Sequence, residues 1–204
     1  MTSYKTVITN ASAELTVKRS RFIGNIAPVT SIRDAIAFME QIRKKHYGAS
    51  HNVYACSIRD PAFCKFSDDG EPQGTAGLPA LNVLQKENIT DCVLVITRYF
   101  GGTMLGAGGL VRAYSSCAKL ALDAAGIKTM RLCLLCELNC GYSLYGRLTG
   151  FIPEQGGKIS GIQHTDAVRI NFIIPKESFD KFSAELTELT LGAVQALVTG
   201  EDFF

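Results

Sequence analysis

The sequence is 204 residues long, carries a formal net charge of +2, and is 47% hydrophobic and 20% charged. These values are typical of a globular protein and exclude a wholly disordered chain. The longest apolar stretches, such as Cys92 to Ile96, are too short to cross a bilayer as a helix, and the start lacks the pattern of a secretory signal. We therefore expect a cytoplasmic protein without a membrane partner.

The first predicted elements are two strands or a hairpin at residues 12–29, which alternate and are rich in Val, Ile and Phe. The turn of this hairpin is predicted around Lys18 to Ser20. Residues 31–47 place apolar side chains at helical spacing, with Ser31 as the N-cap and a basic cluster that suits the last turn. The other elements predicted before Gly126 are strands at 51–59 and 91–99, a turn-rich loop at 63–74, and helices at 75–88 and 110–125.

The pattern changes after Gly126, where glycine is a natural helix end. The predicted elements then follow in the order βαββαβ, at residues 129–139, 142–154, 157–164, 167–174, 177–190 and 193–199. This order is the signature of a ferredoxin-like sandwich, so the sequence predicts an α+β protein with two domains, 1–127 and 128–204. The first domain has 14 basic and 10 acidic residues, a net of +4, and the second has 7 and 9, a net of −2. A weak preference for polyanions is therefore expected of the first domain alone.

An acidic, glycine-containing segment, FSDDGEPQGTAG, covers residues 66–77. One interpretation is a solvated turn, because Asp and Gly are common turn residues. The other is a binding loop in which Asp68, Asp69 and Glu71 hold Mg²⁺ or receive a basic partner. The spacing of these acids is not that of a calcium-binding loop, and both interpretations stay open.

A glycine-rich segment, RYFGGTMLGAGG at 98–109, stands between a predicted buried strand and a helix. Its glycines allow sharp turns and exposed N–H groups, and the N-terminus of a following helix attracts anions. The flanking arginines can pair with phosphate, and the aromatic rings can stack on a base. Alternatively, the glycines serve only the close packing of strand, loop and helix. The ligand contacts predicted here are Arg98, Tyr99, Gly101, Gly102, Gly106, Gly108 and Arg112.

The segments 66–77 and 98–109 are predicted to meet and to form one groove. The N–H donors of the glycine-rich turn complement the carboxylates of the acidic segment, so that each can order the other. In a structural version the two segments only bond together. In a functional version Arg98 and Arg112 stay free to hold phosphate, and Tyr99 is available for stacking.

A further basic feature is VKRSRFIG at residues 17–24. Strand alternation predicts Arg19 and Arg21 on one face, with Lys18, Ser20 and Phe22 on the other. Basic residues beside an aromatic ring are compatible with RNA binding. A solvated strand edge is the alternative.

The sequence contains seven cysteines, and the run Cys133, Cys136, Cys140 is the only candidate metal spacing. No histidine accompanies this run, so we predict reduced thiols without a metal. No nucleophile with a general base is recognisable, so no catalytic residue and no cofactor are predicted.

The sequence VITRYFGGTMLGAGGLVRAY resembles the signature of the IMPACT/YigZ family, through the residues Val95, Ile96, Arg98, Tyr99, Phe100, Gly101, Gly102, Leu105 and Gly106. FSDDGEPQGTAGLP and KRSRFIG resemble its other hallmarks, and the resemblance runs from about residue 14 to the C-terminus. It implies an N-terminal α/β domain with the fold of a small-subunit ribosomal protein, elongation factor G domain IV and some small-molecule kinases. It implies a C-terminal ferredoxin-like domain similar to elongation factor G domain V.

The resemblance also implies a role in translation. Eukaryotic relatives regulate translation under amino-acid starvation by competing for an activator of an initiation-factor kinase, and they carry an extra N-terminal module for that contact, whereas this chain begins at the shared domain. We predict a non-enzymatic stress-response regulator that binds RNA, the ribosome or translation factors, with no signal specific for DNA. Its predicted nucleic-acid contacts are Arg19, Arg21, Arg98, Tyr99 and Arg112. The alternative is a sensor or enzyme that binds a small phosphorylated ligand or nucleotide on the glycine-rich loop, with Mg²⁺ held by the acidic segment. The sequence does not indicate an oligomeric state.

Overall fold

The computed structural model describes residues 2–204, which fold into two antiparallel sheets and five α-helices. The strands are β1 (Ser3–Val7), β2 (Ala11–Val17), β3 (Ser20–Pro28), β4 (His51–Ile58), β5 (Phe63–Ser67), β6 (Cys92–Tyr99), β7 (Ile127–Cys140), β8 (Lys158–His164), β9 (Val168–Pro175) and β10 (Ala196–Phe203). The helices are α1 (Ile32–Lys45), α2 (Gly77–Lys86), α3 (Ala107–Ala125), α4 (Tyr142–Glu154) and α5 (Phe179–Thr190). The chain divides into two compact units, Tyr4–Thr129 and Met130–Phe204, the second of which includes Thr2 and Ser3.

The sheet of the first unit has the strand order β2-β3-β6-β4-β5. Helix α3 packs on one face, against β2 and β3, and α1 packs on the other face, against β4 and β6. Leu94 and Ile96 join the core on the α3 face, whereas Val93 and Val95 join the core on the α1 face. Because β6 is buried on both faces, its apolar run is continuous rather than alternating.

The predicted hairpin is confirmed, and its turn is tight. Val17 and Ser20 pair across a two-residue turn in which Lys18 and Arg19 have φ angles of 46° and 67°. Positive φ at both central residues is characteristic of a type I′ turn, whose twist suits the right-handed twist of the two strands. The predicted placement of Arg19 on a strand face is therefore wrong, since Arg19 is a turn residue, whereas Arg21 does lie in β3.

Two strands were not predicted from the sequence. β1 precedes the predicted hairpin, and β5 occupies the start of the segment 63–74, which was expected to be a turn-rich loop. β5 is an edge strand whose residues are exposed or half-buried, so its side chains do not show the alternation of a buried strand. Its strand conformation comes from antiparallel pairing with β4.

The second unit is ferredoxin-like, as predicted. β7 pairs with β9 and β10, and β8 pairs with β9. The apolar core lies between the sheet and helices α4 and α5, and includes Leu138, Leu148, Ile152, Phe172 and Phe182. No helix of residues 2–204 has the length and apolar character needed to cross a bilayer.

All seven cysteines are free thiols, and only Cys64 is exposed. Cys136 and Cys140 face the core with alternate residues of β7, so strand alternation turns Cys133 to the opposite face. Burial raises the pKa of Cys136 to about 11 and that of Cys117 to about 12. Residues 2–204 contain no group of three or more side chains arranged to hold a metal ion.

Candidate functional site

The acidic segment and the glycine-rich segment meet in space, as predicted. Together with His51 and Leu110 they line a groove of about 320 Å³, which we call the α3-end groove. Glu71 and Pro72 come from the acidic segment, and the glycine-rich segment supplies Arg98, Phe100, Met104, Leu105, Gly106 and Ala107. The β6 strand and helix α3 hold the two ends of the glycine-rich segment, which positions it against the acidic one.

A buried ion pair joins the two segments at this groove. Arg98 is 5% exposed and Glu71 is 8% exposed, and an Arg98 Nη1 donor lies 2.5 Å from Glu71 Oε1. The Tyr114 hydroxyl donates to the same oxygen at 2.8 Å. Burial and the neighbouring Glu71 carboxylate raise the pKa of Tyr114 far above its ordinary value, so this hydroxyl stays a donor.

The position of Arg98 changes its predicted role. Its guanidinium also donates to Ser20 Oγ at 3.3 Å and lies over the rings of Phe22 and Phe100, 5.4 and 5.5 Å from their centroids. A side chain that is this buried and this well partnered is not a free surface cation. For Arg98 the structure therefore matches the structural version, in which the two segments bond together, and not the functional version, in which Arg98 stays free to hold phosphate.

Ser20 connects the hairpin turn to the glycine-rich segment. Its hydroxyl accepts a hydrogen bond from the Gly101 amide at 3.2 Å, and a Cβ atom on Gly101 would overlap the backbone of Arg19. Gly101 is thus explained by close packing rather than by a ligand. Ser20 was not predicted as a site residue, because a serine beside three basic residues gives no local signal of burial.

The acidic side chains are occupied by the protein itself. Asp68 accepts hydrogen bonds from the amides of Gly74, Ala76 and Gly77, at 2.8, 3.1 and 2.8 Å, and so holds the N-terminus of α2. Asp69 accepts from the Asn52 amide at 2.6 Å and from Arg43 at 2.9 Å. With Glu71 bound to Arg98, all three carboxylates are engaged within the protein, which fits the interpretation of the segment as a turn better than that of a Mg²⁺ site.

Gly102 and Gly106 of the glycine-rich segment are not closely packed as Gly101 is, since a Cβ atom on either would meet no atom within 4 Å. Gly102 and Gly106 have φ angles of 79° and 73°, a region that favours glycine. Gly106 is the N-cap of α3 and provides no side-chain acceptor, and both it and Ala107 line the α3-end groove. The first-turn N–H groups of α3, including that of Gly108, therefore lack a side-chain cap, which agrees with the predicted anion-attracting helix end.

Tyr99 lies on the other face of the sheet from Arg98, because successive strand residues point to opposite faces. It is opposite Arg21 in the β3–β6 ladder, and its hydroxyl lies 3.0 Å from His46 Nδ1 at the end of α1. Desolvation lowers the pKa of His46, and the nearby charges of Lys45 and Arg21 lower it further. We call Arg21, Lys45, His46 and Tyr99 the α1-face cluster.

Lys45 and His46 were not predicted as site residues. The cluster Arg43, Lys44 and Lys45 was interpreted as a basic helix end that complements the helix dipole, and only the fold brings the next residue, His46, beside Tyr99. Tyr47, the next residue, is 92% exposed and adds a second ring. Of the predicted basic residues, Arg21 lies opposite Tyr99, and the fold adds His46 as a second neighbour of that ring.

Arg112 belongs to a second groove, on the α3 face. It is exposed and makes no hydrogen bond or ion pair with any of residues 2–204. It lines a space of about 330 Å³ together with Lys18 and side chains of β2 and α3. Arg112 thus lines a different groove from Arg98, and Leu105 borders both grooves.

Two family models match the chain. The model described as "Impact N-terminal domain" matches residues 18–122, and the model described as "Domain of unknown function (DUF1949)" matches residues 138–193. The first range includes the α3-end groove and the α1-face cluster, whereas Leu15 and Val17 of the second groove lie just before it.

Two bacterial relatives match over nearly the whole chain, and a human relative matches over less than half of it. IMPACT family member YvyE of Bacillus subtilis is 35% identical over 93% of this chain and 88% of its own length. IMPACT family member YigZ of Escherichia coli is 34% identical over 91% of this chain and 92% of its own length. Protein IMPACT of Homo sapiens is 30% identical over 45% of this chain and 30% of its own length. A solved structure titled "Crystal structure of an hypothetical protein" is 31% identical, with a TM-score of 0.63 over 99% of this chain and 100% of that one.

Proposed function

Because the chain belongs to the IMPACT family, we propose that it is a non-enzymatic, cytoplasmic regulator of translation that binds RNA through its first unit. The observation that carries this proposal is the α1-face cluster, in which Tyr99 lies opposite Arg21 and contacts His46, and the charges of Lys45 and Arg21 both act on His46. Basic side chains bind phosphates, and aromatic rings stack on unpaired bases. Together they suit single-stranded RNA on the ribosome or on another RNA of the translation machinery.

The charges around the cluster support this proposal. Lys44, Lys45 and Arg19 are exposed and form no ion pair with other described residues, so their charge is open to a polyanion. Arg21 pairs with Glu14 at 2.6 Å, but both side chains are about half exposed, so this pair is weak and can exchange for phosphate. No free carboxylate of the acidic segment competes, because its acids are bound within the protein.

The environment of the nucleophiles supports a binding role rather than catalysis. The thiolate is the reactive form of cysteine, and burial raises the pKa of Cys56 to about 11 and that of Cys117 to about 12. The Ser20 hydroxyl is buried and engaged by Arg98 and the Gly101 amide. These groups lack the activation that covalent catalysis requires.

Fluorescence anisotropy with a labelled single-stranded RNA tests the proposal, at salt concentrations from about 50 to 200 mM. Lys45→Gln should weaken binding and reduce the slope of log affinity against log salt by about 0.7, the value for one lost phosphate contact. Tyr99→Leu should weaken binding by about 1 to 3 kcal/mol, the range for one stacked base, without changing that slope. The matched control is Lys86→Gln, which removes an exposed charge from α2. Absence of RNA binding at the lowest salt, or equal effects of the Lys45 and Lys86 variants, would reject the proposal.

A second candidate function is the binding of a small phosphorylated ligand in the α3-end groove. The uncapped N-terminus of α3 favours it, because unpaired N–H groups there attract anions. Titration with inorganic phosphate, followed by the amide NMR signals of residues 107–109, distinguishes the two candidates. Saturable shifts at these amides would support a phosphate site, and shifts confined to other parts of the chain would exclude it.

A further inference from the structure

One of the two edge strands of the first unit's sheet is β2, and the other is β5. Val17 and Ser20 flank the two-residue turn and pair across it, which makes them a hydrogen-bonded pair of the antiparallel ladder. Hydrogen-bonded pairs alternate along such a ladder, so Leu15 also bonds to β3. Glu14 and Thr16 then direct their backbone N–H and C=O groups away from β3. No further described strand pairs with this side of β2, so these groups are available to a partner backbone.

An apolar groove lies directly beside this edge, between β2 and α3. It is the space of about 330 Å³ already noted at Arg112, and we call it the β2–α3 groove. Leu15, Val17, Leu105 and Ala113 form its apolar part, with Gly109 and Ser116 alongside. Leu15 and Val17 are half-buried on the α3 side of β2, so a side chain of an added strand would meet them.

The charges of the β2–α3 groove are all positive. Lys18 and Arg112 line it, both are exposed, and neither forms an ion pair or hydrogen bond with residues 2–204. No acidic side chain lines the groove. Glu14, the acid on β2 itself, accepts two hydrogen bonds from Arg21, at 2.6 and 2.7 Å, which offsets its charge. The electrostatic complement of this surface is therefore an acidic partner.

We propose that β2 and the β2–α3 groove bind an extended acidic peptide segment of another protein, which adds to the sheet as a strand. The peptide backbone pairs with Glu14 and Thr16, one apolar side chain enters the groove, and flanking carboxylates contact Lys18 and Arg112. Strand addition of this kind takes its affinity from main-chain hydrogen bonds and its specificity from side-chain pockets. A peptide fits better than RNA, because no aromatic ring lines the groove to stack on a base.

The site is separate from the α1-face cluster, so this proposal does not depend on RNA binding. Leu15 and Val17 face α3, whereas Arg21 and Tyr99 lie on the opposite face of the sheet. One chain can thus hold an acidic protein segment and an RNA at the same time. The two activities can also fail independently in experiments.

The test uses the full chain and a fluorescein-labelled peptide of alternating Glu and Val in which Leu replaces the central Glu. The Leu and the flanking Glu side chains then lie on one face of the added strand. Arg112→Glu should weaken binding by about tenfold or more, the effect of placing like charges together at an interface. Lys86→Glu, a charge reversal on α2, should leave the affinity unchanged. Hydrogen exchange at the Glu14 and Thr16 amides should slow on saturation with peptide, whereas the Leu15 amide, already bonded to β3, should change little.

Two peptide controls decide between strand addition and plain charge attraction. Alternate N–H groups of the peptide point to opposite edges of the added strand. N-methylation of the set that faces β2 should abolish binding, and N-methylation of the set that faces away should preserve it. A peptide with Lys in place of Glu should not bind. The proposal would be overturned if both methylated peptides bound equally well, or if hydrogen exchange at Glu14 and Thr16 did not change. It would also be overturned if Arg112→Glu lost RNA binding and kept peptide binding.

Discussion

At the scale of single residues, the Glu71 carboxylate is held by two buried donors, Arg98 and Tyr114. Taking both charges of an ion pair out of water is costly, so removal of one partner leaves the other buried and uncompensated. The fold depends on this pair because it connects the acidic segment to β6. Its removal should therefore destabilise the first unit as a whole.

We predict that Arg98→Ala lowers the free energy of unfolding by about 3 kcal/mol or more, the cost of breaking a buried ion pair. Arg112→Ala, which removes an exposed and unpaired arginine, should change it by less than about 0.5 kcal/mol. Urea unfolding followed by circular dichroism measures both values. Similar stability of the two variants would contradict the structural role of Arg98.

The environment of His46 makes stability depend on pH. Desolvation, Lys45 and Arg21 lower its pKa in the folded chain below the ordinary value of 6.5. The unfolded chain then binds a proton at a higher pH than the folded chain does. The contribution of His46 to stability is therefore complete above pH 6.5 and is lost as the pH falls through the lowered pKa.

We predict that the His46→Gln variant loses less stability than the parent chain when the pH is lowered from about 7 to about 5, since the variant lacks this titration. Arg21→Gln should raise the pKa of His46, because it removes a nearby positive charge. Urea unfolding at several pH values tests the first statement, and NMR titration of the His46 ring tests the second. If the His46 pKa were unchanged in the Arg21→Gln variant, the charge of Arg21 would not act on His46.

At the scale of elements, the hairpin β2–β3 and the loop after β6 form one assembly. The Ser20 hydroxyl accepts from Gly101, and the backbone of Arg19 fills the space where a side chain on residue 101 would lie. The motifs KRSRF and RYFGG are far apart in sequence but are packed against each other. Their residues thus specify a junction between two elements more than a ligand contact.

We predict that Gly101→Ala displaces the hairpin tip and lowers the free energy of unfolding by about 2 kcal/mol or more, a level typical of forced overpacking. Gly108→Ala is the matched control, because its Cβ would meet no atom within 4 Å and its residue lies in α3. That control should be neutral or stabilising by up to about 1 kcal/mol. Equal stability of the two variants in thermal unfolding would show that the junction is loose.

At the scale of the whole molecule, basic and acidic residues are divided between the two parts of the chain. Residues 1–127 carry a net charge of +4 and residues 128–204 carry −2. The matched family ranges, 18–122 and 138–193, lie on either side of residue 127, which we keep as the proposed domain boundary. A polyanion should therefore prefer the first domain.

We predict that a single-stranded RNA shifts amide NMR signals of the first unit and leaves those of β8 and β9 unchanged. The reason is that Tyr99, Arg21 and the exposed Lys44 and Lys45 are in the first unit, whereas the second part of the chain has an excess of acids. The full chain should be used, with a double-stranded DNA of equal length for comparison. Shifts of equal size in β8 and β9 would contradict this assignment.

The sequence by itself predicted the order of the elements apart from β1 and β5, the ferredoxin-like second unit, and the meeting of residues 66–77 with residues 98–109. Local periodicity and glycine positions are properties of neighbouring residues, so they are readable before folding. β5 was missed because its exposed edge position leaves no such periodicity.

Only the tertiary structure decided which charges are buried and which face each side chain occupies. Arg98 was predicted to be free and is paired with Glu71, 27 positions away, whereas His46 joins Tyr99 across 53 positions. Arg98 and Tyr99 are adjacent in sequence, yet the pleat of β6 sends one into a buried ion pair and the other to the α1-face cluster. The burial of a charge depends on partners that are distant in sequence, and no local pattern records them.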